Sequence, residues 1–199
     1  MQITLTSDVA KFTKRLTNIR RQIPFATSKA INATAWDVRT QITQSTYPKS
    51  FPDSPSRTSF PAAAFKVKNS NKHHLQASVY DRFETDYLKL HVTGGIKRPK
   101  SGRKLAIPTR NVKRTKKGRA TASTSPQRLL SDKGFIAKSR GASAIVTPVR
   151  KKLRYFYFLH DKARIERRFP FYKDGNRVAG SVYQGHFRRE LREAFRTAR

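Results

Sequence analysis

Forty-four Lys and Arg residues against twelve Asp and Glu leave this 199-residue chain with a formal net charge of +32. Self-repulsion at that level opposes compaction. A fold is sustained only if enough apolar area is buried, or if a polyanion or acidic protein neutralises part of the excess. Nucleic acid is the usual such partner, because each neutralised phosphate releases condensed counterions. An anionic membrane fits less well, since the cations are spread over loops and strands rather than along one amphipathic helix. Apolar residues make up 36% of the chain, enough for one modest core, and thirteen Phe, seven Tyr and one Trp supply much of it. The chain is therefore more than a disordered basic tail, and its length predicts one domain.

Cysteine is absent, which excludes disulfides, thiolate metal sites and a thiol nucleophile. The opening MQITLTSDVAKF lacks the apolar core of a signal peptide, and no apolar run approaches the ~20 residues that span a bilayer. A cytosol-like compartment, or a particle assembled there, is expected.

The order of patterns predicts an α+β fold: two N-terminal helices, a mostly antiparallel β-sheet with long basic loops, and a C-terminal amphipathic helix. Val9, Phe12, Leu16, Ile19 and Ile23 form one apolar stripe, with Ser7 as N-cap and Asp8 at the positive end of the dipole. Pro24 is expected to break or kink that helix and to open a second one reaching Thr46. Ile31, Ala35, Val38 and Ile42 form the second stripe, which Ala26, Ala30 and Ala33 widen. These small residues beside Trp36 permit close packing, within the chain or on a neighbouring subunit.

Residues 47–61 hold four prolines and read as a loop or extended arm. From residue 62 to 176 a period of two predicts strands. Leu75, Ala77 and Val79 alternate, as do Leu88, Leu90 and Val92, with DRFETD as the loop between. The segments LAIPT, GFIAK, SAIVTPV and LRYFYFLH are further strands. The last has five consecutive apolar residues, Tyr155 to Leu159, and is expected to be central and covered on both faces. Asp174-Gly175 reads as a turn. Residues 177–199 are a helix whose Tyr183, Phe187, Leu191 and Phe195 lie one turn apart.

From Tyr87 to Ser131 there is no acid at all. Loops 94–104 and 110–128 flank the LAIPT strand as two cationic fingers. Lys97, Arg98, Lys100, Arg103, Lys104, Arg110, Lys113, Arg114, Lys116, Lys117 and Arg119 are the candidate contacts to DNA or an acidic partner. No reader of base sequence is signalled, so backbone contact is expected. RYFYFLH reads as core before it reads as a base-stacking surface.

The sequence predicts no enzyme and no cofactor. His73, His74, His91, His160 and His186 show no metal spacing and read as surface histidines. Glu84 with Asp86, Asp161 with Glu166, and Glu190 with Glu193 are the carboxylates a metal-dependent nuclease would use. Helical spacing among arginines makes ion pairing the plainer account of the last pair.

The segment Pro24-Phe25-Ala26-Thr27-Ser28-Lys29-Ala30-Ile31-Asn32 resembles the P-x-A-x-x-x-A-I-N opening of the minor tail protein Z family of long-tailed bacteriophages. The strand Leu105-Ala106-Ile107-Pro108-Thr109 is similar to one in related tail-completion and neck proteins, as is the Gly134-Phe135-Ile136 strand that follows. The likeness covers most of the chain by order of elements, and the arm at 47–61 has no counterpart in it. It implies a structural virion protein, assembled in the host cytoplasm, that completes the tail and helps join it to the head. The implied partners are further copies in a ring, commonly of six, a head connector or portal-side protein, tail terminator or tube proteins, and phage DNA passing through the channel. No membrane is implied. Ala26, Ala30, Ile31, Trp36, Phe187, Leu191 and Phe195 are the candidate subunit-packing residues. A nucleic-acid-binding protein without sequence preference is the alternative, and a metal-dependent nuclease the second.

Overall fold

The computed structural model describes residues 9–54, 56, 58–99, 104–115, 118–139, 142–150 and 152–197. Ser7 and Asp8, the expected first cap, lie outside them. The fold is α+β, with a long N-terminal helix, antiparallel sheets and a C-terminal helix. The sequence predicts one domain, whereas the chain gathers into two compact units. A helical unit comprises Met1–Lys49, Phe60–Glu84 and Phe171–Arg199, and a sheet unit comprises Ser50–Ser59 and Thr85–Pro170.

In the helical unit, α1 (Val9–Gln41) continues past Pro24 without a break. The expected pair of helices is thus one. Proline in a helix interior costs about 3 kcal/mol, and the burial of Ala26, Ala30, Ala35 and Ile42 beyond it offsets that cost. A π-helical turn (Ile42–Thr46) carries α1 into a short α2 (Tyr47–Ser50). The first residues of the proline-rich arm are therefore helical. Later in it α3 (Ser59–Ala64) accepts Pro61 in its first turn.

The strands β1 (Phe65–Lys68) and β2 (Ser78–Asp81) pair antiparallel. Leu75 and Ala77 precede β2 rather than joining it, and His73 and His74 sit in the tight turn bridged by Asn71 and His74. The hairpin is clamped to α1 by Asn32. Its Nδ2 donates to the Ser70 carbonyl (3.1 Å), and its Oδ1 accepts from the Ser70 N–H (2.7 Å) and hydroxyl (3.0 Å). The Ser70 hydroxyl also meets the Ser28 hydroxyl at 2.9 Å. Arg39 performs a similar task at α3, donating to the carbonyls of Phe65 (2.8 Å) and Ala62 (2.9 Å).

The last helix, α6 (Phe171–Thr197), begins six residues before residue 177, and Asp174-Gly175 lies inside it. The expected turn is overridden by packing, since a Cβ at Gly175 would stand 3.5 Å from Val38 of α1. Lys29 meets Glu190, Asp37 meets His186 at 2.6 Å, and Thr46 donates to Asp174 at 2.7 Å. That reversed order makes α1 and α6 antiparallel.

In the sheet unit, α4 (Asp86–Thr93) stands where Leu88, Leu90 and Val92 predict a strand. Their alternation is also compatible with a short helix, and Gly94 decides it. Its N–H closes on the Leu90 carbonyl at 2.8 Å with φ +76°, a positive value that glycine adopts freely, and so caps the helix. Two short strands, β3 (Gly95–Lys97) and β8 (Ala163–Ile165), pair antiparallel. The main sheet has the order β4 (Leu105–Pro108), β7 (Lys152–His160), β6 (Ala142–Val149), β5 (Phe135–Ser139), all antiparallel. One face is covered by Val112 and by Leu129 of α5 (Pro126–Ser131), which pack with Ile145, Phe156 and Tyr157. The Tyr157 hydroxyl donates to the Thr124 carbonyl at 2.8 Å.

A second cluster gathers Phe51, Tyr87, His91 and Phe169. Phe51 lies edge-on to His91 at 5.2 Å, and the Arg168 guanidinium lies over Phe51 at 4.7 Å. His91 is thus not a surface histidine. Burial, with the Arg168 charge, holds its imidazole below the ordinary value, against an opposing hydrogen bond to the Glu166 backbone.

Two outcomes follow. Asn32→Ala removes the side-chain partner of the Ser70 N–H and carbonyl and should lower unfolding free energy by about 2–3 kcal/mol, read by urea denaturation. A histidine with a lowered folded pKa is charged more readily in the unfolded chain, so its effect is absent well above pH 6.5 and destabilises as pH falls through that value. The stability lost between pH 7.5 and 5.5 should therefore be smaller in His91→Phe than in the parent chain.

Candidate nucleic-acid interface

The two units share the charge unequally. The sheet unit holds 25 Lys and Arg against 5 Asp and Glu, and the helical unit 19 against 7, so the net charges are +20 and +12. Between Tyr87 and His160 the only acid is Asp132. Fields this one-sided attract and steer polyanions.

The first basic loop leaves β3 with Lys97 and Arg98 exposed. Lys104, where the chain re-enters β4, makes an ion pair with Asp161 at 3.7 Å. Lys100 and Arg103 lie outside the described residues. The second basic segment is more ordered than its composition predicts. Arg114 bridges to Ala120, Thr115 N–H donates to the Arg119 carbonyl (2.8 Å) and Thr121 N–H to the Lys113 carbonyl (2.9 Å). This small hairpin is rooted by buried Val112 and by Thr124, whose hydroxyl donates to the Lys113 carbonyl at 3.1 Å. Arg110, Lys113, Arg114 and Arg119 are all exposed on it. Lys116 and Lys117, at its tip in sequence, lie outside the described residues.

The uncovered face of the main sheet carries a feature that the alternation rule conceals. Ile145 pairs with Tyr157 and Val146 with Tyr155, so Phe156 is an extra residue, a β-bulge. Phe156 and Tyr157 both turn into the core, and Tyr155 and Phe158 are each 43% exposed. Their rings stack at 6.1 Å with 28° between planes. Cross-strand pairing adds Ile107 beside Phe158 and, across Val146, Phe135. The expectation that β7 is covered on both faces is corrected, since the bulge directs two aromatics to each side. The bulge is held by hydrogen bonds from the Thr109 hydroxyl and the Asn111 amide to the Tyr155 carbonyl, both 2.8 Å, and from the Thr109 N–H to the Phe156 carbonyl at 2.9 Å.

Beside Tyr155 runs an open groove of ≈ 950 Å³ lined by Asn111, Arg150, Lys152 and Arg154. Arg150 sits at the β6–β7 turn with φ +55°. A side chain there costs about 1 kcal/mol over glycine, so the turn keeps a cation against local preference.

Comparison with protein-family models, curated proteins and solved structures gives no match.

The carboxylates weighed for metal chemistry do not converge. Glu84 lies in a turn with φ +47°, while Asp86 begins α4. Glu190 is paired with Lys29 and Arg189, and Glu193 with Arg196 at 2.7 Å, which holds its carboxyl below the ordinary range. Among the described residues no three His, Asp or Glu gather closely enough to hold a metal ion, and no helix is long and apolar enough to cross a membrane.

The residues expected to pack subunits divide. Ala26 and Ala30 are buried inside the helical unit, so their small size serves the chain itself. Ile31 lines a shallow apolar groove with Val38, Val79 and Tyr183. Phe187, stacked on Tyr183 at 5.9 Å, and Leu191 are half-buried. Trp36 (47%) and Phe195 (44%) remain exposed, with Arg39 over the Trp36 ring at 5.3 Å.

Sequence reasoning missed that Tyr155 and Phe158 share one exposed face of the sheet. The basic flanks of RYFYFLH were a signal, and the bulge that sorts its rings was not. For duplex DNA, replacing Lys97, Arg98, Lys113 and Arg114 by Gln should flatten the dependence of log affinity on log salt, by up to about one unit for each phosphate no longer neutralised. Fluorescence anisotropy from low to moderate salt reads the slope.

Proposed function

We propose that this chain is a structural, non-catalytic protein of a bacteriophage tail or neck, forming a homo-oligomeric ring that completes the tail and helps join it to the head connector around the DNA channel. The resemblance of residues 24–32 to the minor tail protein Z family suggests the assembly. The observation that carries the reading is the set of exposed large apolar side chains on the two long helices, together with the uncompensated positive charge of the sheet unit. Leu16, Ile23, Phe25 and Trp36 of α1 and Phe195 of α6 are exposed, although large apolar side chains at this density ordinarily meet a neighbour. The sheet unit's charge of +20 supplies the affinity for DNA or for acidic surfaces of adjoining rings.

A second reading, a nucleic-acid-binding protein without sequence preference, is favoured by the same charge and needs no ring. Electron microscopy and sedimentation velocity separate the two. The ring reading expects closed oligomers that dissociate when Trp36 and Phe195 are both replaced by Ser. A monomer at every concentration that still binds duplex DNA would favour the second reading instead.

A further inference from the structure

We propose that the first turns of α1 dock an acidic helix of a different protein, which packs along the heptad stripe of Leu16, Ile19 and Ile23 beyond the end of α6. The inference concerns a partner of another sequence, and it stands whether or not the chain forms a ring.

Val9, Phe12, Leu16, Ile19, Ile23, Ala26 and Ala30 recur at alternating steps of three and four residues. That is the seam of a coiled coil, two positions wide in every seven. The seam changes company along its length. Ala26 and Ala30 are buried, whereas Leu16 is 49% and Ile23 39% exposed. Leu16, Ile23 and Ala30 stand two turns apart in line with Asp37, which bonds His186 of α6, so all of them lie on the side that α6 occupies. Lys29 meets Glu190, which lies two turns before the described end of α6 at Thr197. In an antiparallel pair that end falls close to Gln22. Val9–Arg21, about 20 Å of helix, runs on past it. The β1–β2 hairpin is bonded to α1 farther along, at Ser28, Asn32 and Arg39. Every described side chain from Thr13 to Thr17 is exposed, Leu16 among them.

The chemistry of the occupant follows from what flanks the seam. No acid occurs between Val9 and Trp36, a stretch with six Lys and Arg. Arg15 and Arg20 hold the heptad positions on either side of the seam, and Arg20 is exposed. Where the seam is covered, Lys29, in the same kind of flanking position, takes a carboxylate of α6. A helix with apolar residues in heptad order and Asp or Glu beside them would repeat that contact beyond α6. A second copy aligned on the same seam would set Arg15 and Arg20 against their like. DNA would neutralise the cations and leave the apolar stripe wet. A bilayer surface suits a broader apolar face than two positions in seven.

A chain of charge +32 attracts any acidic peptide, and the test must separate heptad order from charge. The probe is a fluorescein-labelled synthetic peptide of about three heptads, with Leu at the two seam positions and Glu at the two flanking ones, whose like charges keep it from pairing with itself. The control peptide has the same composition in scrambled order. At moderate salt the full-length protein should bind the heptad peptide on the order of tenfold more tightly than the scrambled one, the effect of burying about one further apolar side chain. Leu16→Ser with Ile23→Ser should abolish that preference without lowering the melting temperature, since both side chains are exposed. Arg15→Glu with Arg20→Glu should weaken the heptad peptide several-fold more than the scrambled one. Equal binding of the two peptides by the parent protein would sink the proposal. So would a serine variant that loses self-association and keeps the peptide preference, which would make the seam a contact between copies. Vesicles of phosphatidylglycerol and phosphatidylcholine that bind the parent but not the serine variant, with no preference between the peptides, would assign the stripe to a membrane surface instead.

Discussion

In the helical unit the scarce carboxylates stand where α1 meets α6. Asp37 holds His186, Glu190 faces Lys29 and Asp174 accepts from Thr46. Two basic helices laid side by side would otherwise repel; the first two contacts cross between them and Thr46 adds a third from the π-turn, so they help fix the register of the antiparallel pair alongside its apolar stripe. The consequence reaches the rest of the molecule. With seven of the twelve acids in the helical unit, the sheet unit is left with five against 25 cations, and its basic loops and turns carry that excess outward. Partial charge compensation in one unit and a larger excess in the other follow from the same short supply.

The sheet unit tolerates its charge because its core is largely aromatic and its second basic loop is tied by backbone bonds rather than by ion pairs. The Lys113–Thr121 hairpin is held by carbonyl contacts to Thr121 and Thr124 and by buried Val112. Its described cations therefore hold no internal carboxylate that a ligand would have to displace. Binding to such a surface loses little, since the base of the hairpin is already ordered and no internal ion pair is broken.

Much of the architecture was legible in the chain's periodicities. The strands of GFIAK, SAIVTPV and LRYFYFLH, the LAIPT strand and the C-terminal helix all stand where alternation and helical spacing put them. Two of the failures share one cause, which is that a local signal was outweighed by packing at a distance. Pro24 should stop a helix, but the alanines beyond it are buried in the unit. Asp174-Gly175 should turn, but Gly175 faces Val38. Leu88, Leu90 and Val92 suit either element, and the cap at Gly94 settles on helix. The charged loops were visible as composition, whereas the order inside 110–128 rests on Thr hydroxyls that composition does not rank.

The RYFYFLH strand shows why a candidate site can be spelled out in residues and still be unreadable. Four consecutive aromatics in a regular strand would divide as alternate rings, Tyr155 with Tyr157 on one face and Phe156 with Phe158 on the other. One inserted residue changes that partition to Phe156 and Tyr157 inside, Tyr155 and Phe158 outside. Nothing in the strand itself requires the insertion. It is specified from outside, by Thr109 and Asn111 reaching back from the end of β4 to the carbonyls that a bulge leaves unpaired. Both side chains bond the exposed Tyr155 carbonyl and the Thr109 N–H bonds that of Phe156, so they favour the bulged register and with it the division of core from surface aromatics. The chemistry of the sheet face is thus set by residues that do not lie on it.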